Sequence, residues 1–397
     1  MRIGIFSDTY IPQINGVSTS IEMLKKGLER NGHKVYIVTV NPRGLKYNYD
    51  ENVLRIPGVP IGIFDYRLTS VYPAFAIKTI KSWNLDVIHS QTEFGIGTFA
   101  RIISKQLDIP LVHTYHTMYE DYIHYITKGY FKKTSKKLVE YLTLFYCDST
   151  ATELIVPTKK TYDLFKEKYK VKRNVHIIPT GIEIEKYSKN YSLDKINKLK
   201  KSLKINDEKV LIFVGRLGLE KSVDFLIENH KKINAKLLII GDGPERTNLE
   251  KLVKKLKLNN KVIFTGKVAL KDIGLYYKLG DIFVTASKTE GLTVIEALAA
   301  SLPVVAINDE SFIDPIKNDY NGYLFNNNKE YINYINNLID NKNKLARLSI
   351  NAYESSLKFS NKVFATNVLK IYKMAIKKGR KRLFRRLFKG GKNDSSR

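Results

Sequence analysis

Short runs of apolar residues alternate with longer amphipathic stretches along most of the chain. Several of the runs are apolar nearly throughout, which is typical of parallel strands covered on both faces. They predict ten strands: Arg2–Ser7, Lys34–Val40, Asp86–Ser90, Pro110–Thr114, Val175–Pro179, Lys209–Val214, Lys236–Gly241, Lys261–Thr265, Asp281–Thr285 and Pro303–Ile307. The stretches between them, such as Ser18–Arg30 and Ser222–Lys232, predict helices. This alternation indicates an α/β fold with right-handed crossovers.

The pattern starts a second time near the middle of the chain. The first predicted strand leads into Gly16 and a helix, and the sixth leads into Gly215 and another helix. We therefore predict two Rossmann-like domains, residues 1–178 and 179–376, whose parallel sheets face each other across an interdomain cleft. We expect the last helix of the second domain to cross back to the first, and residues 377–397 to form a separate tail.

Composition narrows the class of protein. A hydrophobic content of 43% and an aromatic content of 11% exclude a wholly disordered chain. The single cysteine, Cys147, excludes an intrachain disulfide and fits a reducing compartment. No apolar run reaches the roughly 18–20 residues that span a bilayer, and a strand that begins at Arg2 predicts no signal peptide. We expect a cytosolic protein, or one bound peripherally at the cytoplasmic face of the cell membrane.

The net charge of +28 calls for a polyanionic partner or surface. It is concentrated in the tail, where eight of the thirteen residues 377–389 are basic and none is acidic. A helix there would carry apolar side chains on one face and basic ones on the other: Leu383, Phe384, Leu387 and Phe388 against Lys381, Arg382, Arg385, Arg386 and Lys389. This pattern is typical of a helix in an anionic membrane interface. A solvated or nucleic-acid-binding tail is the alternative, and Lys128–Lys137 is a second basic segment.

The same charge allows an RNA-binding protein. The sequence lacks an RNP-type aromatic motif and a basic recognition helix inside a domain. We therefore expect no nucleic-acid partner.

Two loops of the second half carry candidate chemistry. Arg216 and Lys221 follow a predicted strand, and an arginine fork with a lysine point charge suits a diphosphate. A helix from about Ser222 would add its N-terminal dipole, although two solvated charges in a loop are the alternative. Glu290 and Glu296 follow another strand, where carboxylates accept hydrogen bonds from sugar hydroxyls or complement a helix dipole.

The first half offers weaker signals. Gly16 follows Asn15 after the first strand, where a glycine lets the backbone approach a ligand or simply forms a turn. His113 and His116 end another strand, and without nearby cysteines or paired carboxylates they predict no metal site.

Taken in order, these motifs resemble the retaining GT-B glycosyltransferases of family four. The resemblance runs from Met1 to about Tyr372 and rests on the Gly16 loop, Thr-Tyr-His116, Gly215-Arg216 with Lys221, Gly241-Asp-Gly-Pro244 and Glu290-Gly-Leu-Thr-Val-Ile-Glu296. Asp-Thr-Tyr-Ile-Pro (8–12), His-Thr-Tyr-His-Thr (113–117) and Ser-Lys-Thr-Glu (287–290) are most similar to bacterial 1,2-diacylglycerol 3-glucosyltransferases. Phosphatidylinositol mannosyltransferases are more distantly similar.

The resemblance implies roles at four positions. The Gly16 backbone would contact the donor diphosphate, and His116 would lie beside the donor sugar. Arg216 and Lys221 would hold the diphosphate and stabilise charge on the departing nucleotide. No metal cofactor is expected, because these two cations take the place of a metal ion.

The resemblance also implies a binding site for sugar and ribose. Glu290, with the backbone of Gly291, Leu292 and Thr293, would hold sugar hydroxyls, and Glu296 would hold the ribose. The family separates its two glutamates by seven residues, whereas here only five lie between Glu290 and Glu296. A loop shortened by two residues is the simplest account of this spacing.

We therefore expect an enzyme that transfers a hexose with retention, glucose from UDP-glucose, to a membrane lipid such as 1,2-diacylglycerol. The first domain would serve the acceptor and the membrane side, and the second would bind the nucleotide sugar. A transferase that acts on cell-wall or capsular saccharide is an alternative. The shortened glutamate spacing also allows a catalytically weakened family member.

Overall fold

The structure is a computed structural model. It describes residues 1–13, 15–42, 44, 48–50, 52–60, 67–116, 141, 143–287, 291–309, 312 and 314–389, with side chains as far as Arg380. The chain divides into two compact units. Unit 1 is Met1–Gly181 with the chain from Asn361 onward, and unit 2 is Ile182–Ser360.

Unit 1 is built on an eight-stranded sheet with a small two-stranded sheet beside it. Its strands are β1 (Arg2–Ser7), β2 (Lys34–Val40), β3 (Asn48–Asp50), β4 (Val53–Ile56), β5 (Gly58–Pro60), β6 (Arg67–Thr69), β7 (Val87–Ser90), β8 (Leu111–Thr114), β9 (Glu153–Val156) and β10 (Val175–Ile177). The large sheet has the order β10-β9-β8-β7-β1-β2-β4-β3, and β5 pairs with β6. All neighbours in the large sheet are parallel except β3 and β4.

The helices of unit 1 cover this sheet. They are α1 (Gly16–Arg30), α2 (Ala74–Ser82), α3 (Gly95–Gln106), α4 (Lys159–Asp163), the π-helical turns Phe145–Ser149 and Leu164–Lys168, and the C-terminal helix (Asn361–Lys389). Ile3 and Ile5 of β1 pack into a core that also holds Val368 and Tyr372 of the C-terminal helix. Phe6 of the same strand joins a different core, so both faces of the sheet are buried, as its apolar strands require.

Unit 2 holds a six-stranded, fully parallel sheet with the order β13-β12-β11-β14-β15-β16. The strands are β11 (Val210–Val214), β12 (Lys236–Ile240), β13 (Val262–Gly266), β14 (Ile282–Thr285), β15 (Val304–Ile307) and β16 (Gly322–Phe325). Ile212 packs into one core and its neighbour Phe213 into another. Successive side chains of a strand point to opposite faces, so the sheet lies between two apolar layers.

The helices of unit 2 form those layers. They are α5 (Ile184–Ser188), α6 (Leu193–Ser202), α7 (Val223–Asn229), α8 (Arg246–Lys255), α9 (Ile273–Tyr277), α10 (Leu292–Ala299), α11 (Asn328–Asp340) and α12 (Lys342–Ser356), with 3₁₀ turns at Leu219–Lys221, His230–Lys232 and Leu357–Phe359.

Each of the ten predicted strands corresponds to an observed strand. The prediction lacked β3, β4 and β9 of the eight-stranded sheet, β16 of the six-stranded sheet, and the small sheet of β5 and β6. Residues 361–376 were predicted as the end of the second domain, in a helix that crosses back to the first. The helix that contains them belongs to unit 1, so the crossing agrees with the prediction and unit 2 ends at Ser360. The reason is its apolar face, which is buried against β1 and α1. The interdomain cleft stays a prediction.

Candidate functional site

Each sheet reverses its strand order beside its first strand. In unit 1 the reversal lies between β1 and β7, and in unit 2 between β11 and β14. In open α/β sheets the crevice beyond the carboxyl ends of such strands is where ligands bind. The loops that follow these four strands contain most of the residues predicted from the sequence.

In unit 2 a side chain joins the loops after β11 and β14. Lys221 Nζ donates a hydrogen bond to Ser287 Oγ over 3.3 Å. Burial lowers the pKa of Lys221, and the charge of the neighbouring Glu220 opposes that shift. Arg216, from the same loop, is exposed. Two cations therefore follow β11 at the reversal point, one on the surface and one partly buried.

The helix that follows these cations is shorter than predicted. Lys221 ends a 3₁₀ turn, and Ser222 has a left-handed backbone with φ of 46°. The α-helix therefore begins at Val223 and has seven residues. The start within one residue of Ser222 agrees with the expected helix, and a 3₁₀ turn, His230–Lys232, occupies the end of the predicted segment. The contribution of the helix dipole to a phosphate site stays a prediction.

A glycine turn supports the loop that carries Arg216. Leu217 N donates to Asp242 O over 3.0 Å, and Glu245 N donates to Leu217 O over 3.0 Å. Gly241 has a φ of +135°, and a Cβ there would lie 1.9 Å from Gly215 O. No other residue fits this close approach. The Gly241-Asp-Gly-Pro motif therefore holds the cation loop in place.

Glu296 lies on α10 and is held by two tyrosines that the sequence analysis missed. Tyr187 OH donates to Glu296 Oε1 over 2.6 Å, and Tyr277 OH donates to Oε2 over 2.9 Å. Burial raises the pKa of Glu296, and the two hydrogen bonds oppose that shift. Each carboxylate oxygen has a second lone pair, so Glu296 keeps acceptor capacity for a ligand.

The start of α10 offers backbone donors. Gly291 is the N-cap residue and Leu292 the first residue of the helix. The first N–H groups of a helix have no partner within it, and those of Leu292 and Thr293 belong to this set. Among the described residues, a Cβ at Gly291 would meet only Thr293 Oγ1, at 3.5 Å. Glu290 lies outside the described residues, so its role stays a prediction.

In unit 1, Gly16 begins α1, and a Cβ there would meet no atom of the described residues within 4 Å. The side chain of Asn15 accepts a hydrogen bond from Ser18 N over 2.9 Å and donates one to Thr9 Oγ1 over 2.8 Å. This capping box fixes the path of the chain into the helix. Among the residues that the structure describes, nothing therefore blocks the approach of a ligand to the backbone at Gly16.

Asp8 joins the loops after β1 and β7. Thr92 Oγ1 donates to Asp8 Oδ2 over 2.5 Å, and Ile96 N donates to Asp8 Oδ1 over 2.9 Å. Burial raises the pKa of Asp8, against the effect of these hydrogen bonds. The reversal point of unit 1 is therefore fixed by side chains, as that of unit 2 is by Lys221.

His116 follows β8 at the same edge of unit 1. Its Nε2 lies 2.6 Å from Gln91 Oε1, while His113 Nε2 lies 3.0 Å from Glu93 Oε1. Burial lowers the pKa of His116 to about 4, with Glu93 opposing and His113 adding to the shift. His116 is therefore a neutral imidazole at pH 7.

The membrane prediction falls on the end of the C-terminal helix. The helix continues to Lys389, so residues 377–389 are helical as expected. The side chains of Leu383, Phe384, Arg385, Arg386, Leu387 and Phe388 lie beyond those that the structure describes, and Lys128–Lys137 lies outside the described residues. Among the helices described, none combines the length and the apolar character needed to cross a bilayer. The described part of the chain also holds no cluster of three acidic, histidine or cysteine side chains suited to a metal ion.

Comparisons with known proteins agree in both halves of the chain. The family Glycosyltransferase Family 4 matches residues 14–186, and Glycosyl transferases group 1 matches residues 194–355. The alpha-monoglucosyldiacylglycerol synthase of Acholeplasma laidlawii is 37% identical over 96% of this chain and 99% of its own length. The enzyme of the same name from Streptococcus pneumoniae is 40% identical over 77% of this chain and 71% of its own length.

Solved structures agree on the fold. Anabaena HepE in complex with UDP has a TM-score of 0.71 and 18% identity, and covers 94% of this chain and 100% of its own. The sucrose-phosphate synthase of Thermosynechococcus elongatus also has a TM-score of 0.71 and 18% identity, over 94% of this chain and 98% of its own. With two parallel Rossmann-like sheets and family matches in both halves, the chain is a GT-B glycosyltransferase that belongs to glycosyltransferase family 4.

Proposed function

We propose that this enzyme transfers glucose from UDP-glucose to 1,2-diacylglycerol with retention of the α-configuration. The observation that carries the proposal is the identity of 37% and 40% to two alpha-monoglucosyldiacylglycerol synthases, one of them over nearly the whole chain. In the reaction, the bond between the anomeric carbon and the diphosphate oxygen breaks. A bond to the diacylglycerol hydroxyl oxygen forms, and the hydroxyl proton leaves with UDP.

Unit 2 supplies the groups that the donor needs. We assign Arg216 and Lys221 to the diphosphate, where they stabilise charge that develops on the leaving group. The two cations stand at the strand-order reversal, where such folds bind nucleotides. The N–H groups of Leu292 and Thr293 serve the sugar, and Glu296 accepts from the ribose beside its two tyrosine hydrogen bonds. In this proposal no metal ion takes part.

Unit 1 supplies Gly16 and His116. The open space at Gly16 admits a diphosphate oxygen close to the backbone. A neutral His116 offers one donor and one acceptor nitrogen, which suits sugar hydroxyls and does not add positive charge beside the anomeric carbon. We assign Glu290 to the sugar hydroxyls as well.

The test is a transfer assay with radiolabelled UDP-glucose and vesicles that contain diacylglycerol. Parallel reactions replace the donor with UDP-galactose or GDP-mannose, and the acceptor with a soluble oligosaccharide. We expect a labelled α-glucosyl lipid with UDP-glucose alone. Labelled saccharide without labelled lipid would overturn the acceptor, and product from GDP-mannose alone would overturn the donor.

The same assay tests the alternative that this chain is a catalytically weakened member of the family. Two residues inserted between Glu290 and Gly291 would restore the spacing of the family. We expect the wild-type chain to be active and the insertion to keep or raise its turnover. A wild-type chain that neither transfers nor hydrolyses the donor, and gains activity only with the insertion, would favour the weakened enzyme.

We further propose that the enzyme binds peripherally to the cytoplasmic face of the cell membrane. The basic, amphipathic end of the C-terminal helix supports attachment to anionic lipid. By Lys378 and Gly379 that helix has reached Glu153 and Pro110, at the amino ends of β9 and β8. It therefore leaves unit 1 at the edge opposite to His116.

An exposed apolar surface at the other edge supports contact with the lipid acceptor. Val59 of β5 pairs with Leu68 of β6, and their side chains are 58% and 60% exposed. Phe75 and Phe94 are 54% and 56% exposed. Thr69 lies against Gly95, which places this small sheet beside the carboxyl end of β7. Apolar surface of this kind marks interaction sites, and sequence patterning alone did not reveal it.

A further inference from the structure

Gln91 is a buried polar residue, and only one end of its side-chain carboxamide has a hydrogen-bond partner among the described residues. It follows β7 directly, and its backbone N–H donates to Phe6 O over 2.8 Å, which fixes its position at the reversal point of unit 1. The residue is 2% exposed. Its Oε1 lies 2.6 Å from His116 Nε2, whereas its Nε2 is buried and makes no hydrogen bond within the part of the chain that the structure describes.

This arrangement is costly for folding alone. A buried amide group without a partner costs about 1–3 kcal/mol. Turning the carboxamide over would exchange its two ends but would still leave one of them without a partner. A leucine of similar size would avoid that cost. The carboxamide therefore points to a task at His116 that an apolar side chain cannot perform.

The contact couples the carboxamide to the form of the imidazole. In the orientation that the structure gives, the Gln91 oxygen accepts from His116 Nε2, which then carries the proton, whereas a carboxamide turned over would donate from its own nitrogen to an unprotonated His116 Nε2. In a neutral imidazole with Nε2 protonated, the other nitrogen, Nδ1, is the acceptor. In the orientation that the structure gives, the ring therefore presents Nδ1 as an acceptor to whatever lies on that side.

We propose that Gln91 is a positioning residue that holds His116 as the Nε2–H tautomer, with Nδ1 as the acceptor for a hydroxyl of the substrate. Acceptance from a substrate hydroxyl rests on the proposed function, whereas the tautomer does not. The charged and titratable groups that face His116 from the described elements are Glu93, His113 and His89. All three remain in place in the variants below.

The test combines histidine NMR with kinetics on the full chain. Nitrogen-15 shifts of labelled histidine report tautomer and pKa, and His116→Gln identifies the His116 signals. Gln91→Leu removes the acceptor, and Gln91→Glu keeps an acceptor of the same shape but adds charge. Gln106→Leu is the matched control, because Gln106 is an exposed glutamine at the end of α3.

We expect the Nε2–H tautomer in the wild type and a mixture of tautomers in Gln91→Leu. A carboxylate beside the ring favours the imidazolium, so Gln91→Glu should raise the pKa of His116 by about 1–3 units. The acid limb of the kcat profile should move with it. Gln91→Leu should lower kcat about tenfold or more with UDP affinity unchanged, whereas Gln106→Leu should match the wild type.

A His116 tautomer and pKa that are the same in all variants would overturn the proposal, whatever the activity. A shifted tautomer with unchanged kcat would confirm the contact and reject its role in transfer. If the wild type transfers no glucose at all, the NMR result still decides the first half of the proposal, so the two failures can be told apart.

Discussion

Lys221 Nζ and Ser287 Oγ lie 3.3 Å apart and join the two loops at the strand-order reversal of unit 2. If Lys221 holds the donor diphosphate, Lys221→Ala removes hydrogen bonds from a charged group, each worth about 1.5–3 kcal/mol. We expect UDP to bind roughly 10- to 100-fold more weakly, with kcat lowered as well. Calorimetry with UDP measures the first effect.

Two controls sharpen this measurement. Ser287→Ala removes one hydrogen-bond acceptor of Lys221 but leaves the cation, so UDP affinity should change by no more than about threefold. Lys251→Ala removes an exposed lysine from α8 and should have no effect. A chelator should not alter binding. Unchanged affinity in both Lys221→Ala and Arg216→Ala would reject the diphosphate assignment.

Tyr187→Phe tests the support of Glu296. The change removes the donor that lies 2.6 Å from Glu296 Oε1, and we expect it to lower the free energy of unfolding by about 1–2 kcal/mol. UDP affinity should fall with it, because the carboxylate loses its fixed position. Tyr320→Phe, at an exposed tyrosine of the same unit, is the control.

The effect should depend on pH in a defined direction. Burial already raises the folded-state pKa of Glu296 above 4.5, and loss of a tyrosine donor raises it further. A carboxyl group whose pKa is higher in the folded state stabilises the fold at pH values below its unfolded-state pKa. That contribution is lost as the pH rises through the folded-state pKa. The destabilisation by Tyr187→Phe should therefore be larger at pH 8 than at pH 5. Urea unfolding at both values measures it, and an equal or opposite difference would contradict this account.

The sequence predicted the sheets better than the site. A strand such as β11 is apolar at every position because both faces are buried, and that run is visible without a structure. Arg216 and Lys221 were visible for a similar reason, since cations after a buried strand stand out. Gln91 and Tyr277 were not, because neither is charged or part of a motif. Their importance comes from partners 25 and 19 residues away along the chain, which only the fold brings close.

Lys378 ties the C-terminal helix to unit 1 through Glu153. The Glu153 carboxylate is fully buried, and it also lies 2.9 Å from His176 Nε2. We expect Lys378→Ala to lower the free energy of unfolding by about 1–3 kcal/mol, less than for a fully buried pair because Lys378 is 46% exposed. Lys377→Ala removes the same charge from an exposed neighbour and should cost little.

The pH dependence of this contact has the opposite sign to that of Glu296. Burial raises the pKa of Glu153, but the hydrogen bonds from His176 and Lys378 outweigh it and leave the pKa below 4.5. The contribution is therefore present above pH 4.5 and is lost as pH falls through the folded pKa. The difference in unfolding free energy between Lys378→Ala and Lys377→Ala should be smaller at pH 4 than at pH 7. An equal difference at both pH values would show that the ion pair is not its source.

The contact between Lys378 and Glu153 determines where the tail should be truncated to test membrane binding. Removal of residues 377–397 would also remove Lys378, so a chain that ends at Arg380 is the sharper truncation. It should keep its stability and UDP affinity. It loses four large apolar side chains, worth roughly 1.5–3 kcal/mol each when buried, and seven basic ones, worth about 1 kcal/mol each near anionic lipid. The cost of ordering the segment offsets part of this gain.

We therefore expect vesicle flotation at low salt to show at least 100-fold weaker binding of the truncated chain to anionic vesicles, and lower transfer to diacylglycerol in them. A full-length chain with serine at residues 383, 384, 387 and 388 keeps the charge, so its remaining binding should disappear at high salt, where charge is screened. Val59→Ser with Leu68→Ser tests the exposed apolar surface at the other edge of unit 1. These changes should lower glucose transfer to diacylglycerol more than they lower binding to vesicles. Equal flotation of the full-length and truncated chains would show that the tail does not attach the enzyme to the membrane.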